Sequence, residues 1–138
     1  MKRILVDVNV VLDVLLDRAP RAEASAAVWA AVESGRVEGA LAAHAVTTIH
    51  YLARKGIGAT KAARMISSIL RVFRVAAVDH SCIQEALQLP CPDFEDAVTA
   101  AAARSAGCDY VVTRDPKGFR GSPVRPLTPE GVTSLLNE

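Results

Sequence analysis

Hydrophobic positions along this chain switch repeatedly between short unbroken runs and helix-spaced stripes. Ile4 to Val6 is apolar without alternation and predicts a strand buried on both faces. Val10, Val11, Val14 and Leu15 then fall on one helical stripe, with Asn9 placed to cap that helix and Asp17-Arg18-Ala19-Pro20 to break it. Arg21 to Glu33 predicts a second helix, closed by Gly35 at the C′ position. Gly39-Ala40-Leu41-Ala42 is a strand candidate made of small residues. Ala45 to Lys55 reads as a helix stopped by Gly56-Ile57-Gly58, and Thr60 opens the next, with Ala63, Ile66, Ile69 and Leu70 on one stripe. Val72 to Val78 is strand-like, and His80-Ser81 starts a short helix ending near Leu89-Pro90. Asp93 starts an alanine-rich helix that ends at Gly107. Tyr110 to Thr113 and Val124 to Leu127 predict two more strands, and Pro129 to Leu136 a closing helix.

Strands alternating with helices in this way predict an α/β fold, a three-layer sandwich whose parallel central sheet is flanked by helices. At 138 residues, one domain spanning 1–138 is expected. A chain of that size buries about two-thirds of its unfolded surface, enough for a self-sufficient core. The composition is 51% hydrophobic but only 4% aromatic, so alanine and valine do most of the filling, which suits helices lying close on a sheet and excludes disorder. No apolar run approaches the roughly 20 residues needed to span a bilayer. Met1-Lys2-Arg3 leads straight into the first strand without a signal-peptide pattern, so the expectation is a cytoplasmic protein with no membrane contact.

Cys82, Cys91 and Cys108 form no C-x-x-C pair, which fits a reduced compartment and argues against structural zinc. A net charge of +1 does not suggest a blanket nucleic-acid binder. The distribution is more telling: residues 39–78 contain no acid, yet hold Arg54, Lys55, Lys61, Arg64, Arg71 and Arg74. Such asymmetry is compatible with a basic wall beside an acidic site.

The candidate chemistry lies in three aspartates, Asp7, Asp96 and Asp115, each at a point where a strand gives way to a turn or a helix begins. In a parallel α/β sheet the carboxyl ends of neighbouring strands share one rim, where ligands bind. Carboxylates converging there would repel one another unless a cation sat among them, so the pattern points to a metal site. Mg²⁺ or Mn²⁺ takes oxygen ligands and can activate water and stabilise the leaving oxygen of a phosphodiester. Asp93 reads as the cap of the alanine-rich helix, with Asp96 at its third position, where acids also complement the helix dipole. Asp115-Pro116-Lys117-Gly118 has the composition of a type I turn. Asn9 and Thr113 could lend an amide and a hydroxyl to the site. His44, His50 and His80 are scattered and read as helix-face or cap residues. No G-x-S-x-G, phosphate-binding glycine loop or H-E-x-x-H competes.

Ile4-Leu5-Val6-Asp7-Val8-Asn9-Val10-Val11-Leu12-Asp13, Asp93-Phe94-Glu95-Asp96-Ala97-Val98 and Tyr110 through Phe119, in that order, resemble the PIN-domain nucleases, the fold of VapC-type toxins. The closing Pro126-Leu127-Thr128-Pro129-Glu130 fits their last strand-to-helix step, so the resemblance spans almost the whole chain. It implies a PIN-like parallel sheet between helices and Mg²⁺- or Mn²⁺-dependent cleavage of RNA. Asp7, Asp96 and Asp115 would hold the metal, with Asp93 nearby. Arg54, Lys55 and Arg114 become candidate phosphate contacts, and an antitoxin protein and a second copy of the chain candidate partners. The family's further acid, a glutamate on the helix after the second strand, is replaced by Thr48, with His44 one turn earlier on the same face. Thr48 offers a hydroxyl without charge, so a second reading is a catalytically weak PIN fold that binds RNA or protein. A haloacid-dehalogenase-like phosphatase would also place an aspartate after the first strand, but it needs another acid where Asn9 stands.

Overall fold

Five short strands build one all-parallel sheet in this computed structural model, which describes residues 1–138. They are β1 (Arg3–Val6), β2 (Glu38–Ala42), β3 (Arg74–Ala76), β4 (Tyr110–Val112) and β5 (Arg125–Leu127). Seven α-helices connect and cover them: α1 (Val8–Leu15), α2 (Ala22–Glu33), α3 (Ala43–Ile57), α4 (Ala59–Val72), α5 (His80–Gln88), α6 (Phe94–Ser105) and α7 (Pro129–Leu136). The strand order is β3-β2-β1-β4-β5, with β1 at the centre. Successive strands step outward from β1 to β3; the chain then crosses back to lay β4 on the other side of β1. That reversal makes the carboxyl ends of β1 and β4 a topological switch point, where the diverging connections leave a crevice. The three-layer α/β reading is therefore what the chain adopts.

Ile4, Leu5 and Val6 are shielded on both faces, as are Leu41, Val111 and Val112, which explains why these strands read as unbroken apolar runs. Val10 and Val11 of α1 and Ile49 of α3 join them in one core. The helix α6 buries every residue from Ala97 to Ala103, because it lies between the sheet and α5. Alanine there lets backbones approach closely where longer side chains would hold them apart.

Local structure departs from the sequence expectation at four places. The first helix begins at Val8, so Asp7 rather than Asn9 is its N-cap; Asp7 is extended (φ −68°, ψ 150°) and accepts the Val8 N–H. The helix α3 starts two residues earlier than expected, directly on the end of β2. The helix α4 continues through Val72, leaving β3 only three residues long: tertiary packing of Ile69 and Phe73 overrides the β preference of the valine. Asp115-Pro116-Lys117-Gly118 does not form an isolated type I turn. It leads into a 3₁₀ helix, Pro116–Phe119, which sinks Phe119 into the core.

Gly39 in β2 shows how tightly α2 and the end of α4 close over the sheet. A methyl there would stand 2.7 Å from Val32 Cγ1 and 2.9 Å from Phe73 Cδ1, and Phe73 is itself wedged edge-on against Trp29 at 5.2 Å. Gly39→Ala is expected to destabilise the protein by about 1–3 kcal/mol through overpacking. Urea unfolding checks this: the midpoint should fall with the slope unchanged. No helix is long and apolar enough to cross a membrane.

Candidate acidic site

The switch point positions the first acid. The Asp7 N–H donates to the Val112 carbonyl (2.9 Å), extending the β1–β4 pairing one step past the strand end. Its carboxylate is thereby fixed at the rim, and both oxygens are engaged: Oδ1 accepts the Val8 N–H (2.9 Å) and Oδ2 accepts the Thr113 hydroxyl (3.1 Å). Burial raises the Asp7 pKa; the hydrogen bonds from Thr113 and Val8 act in the opposite direction.

Thr113 is 2% exposed and joins two acids. Its N–H is held by the Leu127 carbonyl (2.9 Å), its hydroxyl donates to Asp7, and the same oxygen accepts the Asp115 N–H (3.2 Å). The Asp115 side chain is exposed and caps nothing in the 3₁₀ helix that follows.

The third acid is carried by α6. Asp93 caps α6 by accepting the Asp96 N–H (3.0 Å), which sets Asp96 at the third helical position, half-buried. The Asp96 carboxyl is pushed up to about 7, first by burial and then by the neighbouring charges of Asp7, Asp93, Glu95 and Asp115. Gly118 is why Asp96 fits against the 3₁₀ helix. A Cβ at that glycine would stand 2.6 Å from Asp96 Oδ2 and 3.8 Å from Asp115 Oδ2. The first distance is a clash and the second ordinary contact, so it is for the Asp96 carboxylate that the Cα must be bare.

The structure thus gathers Asp7, Asp93, Asp96, Asp115 and Thr113 at one rim. No three or more His, Cys, Asp or Glu side chains stand arranged to hold a metal ion among themselves. The donors are nevertheless all oxygens, which is the chemistry of a hard divalent cation that keeps several of its waters. Thr48 adds little: its hydroxyl donates back to the His44 carbonyl (3.2 Å) within α3. Asn9 sits half-buried in the first turn of α1.

Two residues near the site were not singled out by the sequence. Thr99 lies one turn beyond Asp96, and its hydroxyl donates to the Glu95 carbonyl (3.0 Å) while lying 3.2 Å from His44 Nε2. With that hydrogen committed, Nε2–H is the donor to Thr99, and the buried Nδ1 is left with no partner. His44 rather than Thr48 is therefore the polar link from α3 to the acid-bearing helix. Asp13, on α1, is fully buried and accepts from Arg114 Nη1 at 2.9 Å, with Ser25 Oγ at 3.4 Å and Arg18 Nη1 at 3.7 Å. A charge inside an apolar stripe was the signal available in the sequence.

The basic candidates separate. Arg114 adjoins Asp115 and is tethered to Asp13. Arg54 and Lys55 are not brought to the acids: α3 starts at the rim and carries them roughly 15 Å along its axis from His44, at 1.5 Å per residue. There they line a shallow hollow with His50 and Tyr51, and Lys55 Nζ rests 4.2 Å from the Tyr51 ring centre.

A family model for the PIN domain matches residues 3–117, most of the chain and all three aspartates. The chain belongs to the PIN-domain family. Solved structures agree with that fold. The PIN domain here aligns with FitAcB from Neisseria gonorrhoeae at a TM-score of 0.71 and 22% identity, covering 92% of this chain and 98% of that one. It aligns with DNA-bound VapBC from Salmonella typhimurium at 0.71 and 16%, covering 94% and 99%. Against VapC20 from Mycobacterium tuberculosis, a sarcin–ricin loop cleaving toxin, the values are 0.66 and 19%, covering 85% and 93%. No curated protein sequence matches the chain.

Because the Asp96 pKa is raised in the folded PIN domain, the folded state binds this proton more tightly than the unfolded chain does. Its contribution is present in full below the unfolded value near 3.8 and is lost as pH rises through about 7. Asp96→Asn should therefore stabilise the metal-free protein at pH 8 by on the order of 1–2 kcal/mol, allowing for solvent screening of a half-exposed group. Thermal melts at pH 5 and pH 8 check this: the gain should be largest at the higher pH.

Proposed function

We propose that this PIN domain is a Mg²⁺- or Mn²⁺-dependent endoribonuclease acting as the toxin of a toxin–antitoxin pair. The observation that carries the reading is the convergence of Asp7, Asp96 and Asp115 at the switch point, with the Asp96 carboxyl pushed to about 7 by burial and its acidic neighbours. Carboxylates held in mutual repulsion favour a divalent cation. Asp7, Asp96 and Asp115 would hold it, with Asp93 beside them. Bound there, the ion supplies Lewis-acid polarisation of the phosphodiester and charge stabilisation at its leaving oxygen.

The chain's own groups supply placement. Thr113 and the Val8 N–H fix the Asp7 carboxylate in one orientation, so that donor is preorganised. Asp115 is anchored by its backbone but free in its side chain, which leaves it able to turn toward a ligand. With its carboxyl pushed up to about 7, Asp96 is divided between its protonated and ionised forms near neutral pH, and a bound cation would favour the ionised form. Phosphoryl chemistry asks little more of a protein than positioning and charge. The sarcin–ricin loop cleaving toxin of the same fold favours RNA as substrate, and the VapBC structure favours an antitoxin as partner; a second copy of the chain is proposed on the family resemblance alone. A basic antitoxin side chain would meet the same carboxylates.

Thr48 favours the second reading, an RNA- or protein-binding PIN fold with weak catalysis. Its hydroxyl turns back to the helix and brings no charge to the site. Cleavage assays on purified protein separate the two. Asp7→Asn should reduce Mn²⁺-dependent RNA cleavage by at least about 100-fold, a loss expected when a preorganised charge is removed; unchanged cleavage would defeat the enzyme reading. Thr48→Glu should tighten Mn²⁺ binding measured by calorimetry. In the unmodified chain Mn²⁺ affinity should fall as pH drops below about 7, by up to about tenfold per unit, as the proton competes at Asp96.

A further inference from the structure

We propose that a small cavity bordered by Arg21, Ser25 and Arg114, next to the acidic rim, binds a backbone phosphate of RNA flanking the one that is cut. The nature of the ligand rests on the ribonuclease reading; the site itself rests on geometry. The cavity measures about 190 Å³ and lies between the start of α2 and the start of α7. It is smaller than the roughly 300–1,000 Å³ that enclose drug-sized ligands, so it suits a compact anion and not a base.

Asp13 organises it from below. A fully buried carboxylate needs partners, and Asp13 has two arginines and a serine hydroxyl. As a source of stability such an arrangement has little advantage over apolar packing; as a means of fixing a guanidinium it works well. Arg114 gives one Nη1–H to Asp13 and keeps the rest of its fork, partly exposed, for a ligand at the cavity wall. A guanidinium can meet phosphate oxygens through paired N–H groups.

Arg21 forms another part of the wall. It is exposed, sits at the N-cap position of α2 without a capping bond, and forms no ion pair. Glu130 also lines the cavity, so its charged lining residues, Arg21, Arg114 and Glu130, sum to one positive charge; behind them Asp13 is paired with both Arg114 and Arg18. The position along the chain completes the case: Arg114 is bonded directly to Asp115 and follows Thr113, which holds Asp7. On this proposal the occupant is a phosphate next along the strand, because the cavity shares Arg114 with the loop that carries Asp115. Asp13 is a positioning residue in this arrangement; Arg21 and Arg114 are the contacts.

Arg21 is the residue to test, since removing Arg114 would also take from the buried Asp13 its shortest charged contact and so disturb the fold. The probe is a short labelled single-stranded RNA, its binding to the full chain followed by fluorescence anisotropy in EDTA across a salt series. Arg21→Gln should weaken binding by roughly three- to tenfold and make the slope of log affinity against log salt shallower by about 0.7, as expected for one lost contact to a single strand. Arg36→Gln is the control: Arg36 precedes β2 at the opposite rim and bonds the Leu136 carbonyl, so neither quantity should move. An unchanged affinity and slope for Arg21→Gln overturns the proposal, as does an equal loss for Arg36→Gln or no RNA binding by the wild-type chain. The ribonuclease reading fails separately, on cleavage: a wild type that binds RNA through Arg21 yet cuts none would keep the subsite and lose the enzyme.

Discussion

The pairing of β1 with β4 governs the rest of this structure. Sequence-distant segments meet there, and the last backbone hydrogen bond of the pair, from Asp7 to Val112, is made by the acid itself. One hydroxyl then extends the constraint: Thr113 donates to Asp7 and accepts from the Asp115 backbone, so two acids more than a hundred residues apart share one oxygen atom as a fixed reference. The Leu127 carbonyl holds Thr113 from the neighbouring strand. A displacement of β5 would reach Asp7 through two hydrogen bonds.

Against this fixed side stands a side under electrostatic tension. Asp96 is delivered by α6, whose first turn is organised by Asp93 and whose body is locked between the sheet and α5. The burial that gives α6 its rigidity also strips water from Asp96 and brings it near other acids. The raised pKa is the cost of that placement. Gly118 permits the close pass of the 3₁₀ helix, and any side chain there would drive into the Asp96 carboxylate. Stability and charge thus oppose each other at the rim, as they commonly do at functional sites. Cationic groups occupy different ground: Asp13 draws Arg114 and Arg18 beneath the same loop.

The acids were legible in the sequence because each follows a rule that operates locally. A buried apolar run predicts β1, and the residue after it falls on the ligand rim. Pro92-Asp93 announces a helix start and fixes Asp96 three residues later. Asp115 was legible as a loop residue after β4, though its turn type was not, because the burial of Phe119 decided the 3₁₀ course. The sequence offers Asn9 as the cap of the first helix, yet Asp7 caps α1 while facing the site. Arg54 and Lys55 show the opposite limit: their charge was visible, but the length of α3 carries them away from the acids.

The sequence by itself determined the alternation of elements, the parallel sheet, Asp7 and Asp115 just past strands and Asp96 in the first turn of a helix, since these depend on patterns of a few residues. Tertiary structure decided which charges face one another. The Thr113 hydroxyl between Asp7 and Asp115, the His44–Thr99 contact and the arginines around Asp13 all join residues separated by tens of positions. Their distances follow from strand order and helix packing, and no local pattern encodes them. Electrostatic interaction depends on those distances and on exclusion of water. The chemical character of Asp96 and Arg114 is therefore a property of the folded sheet.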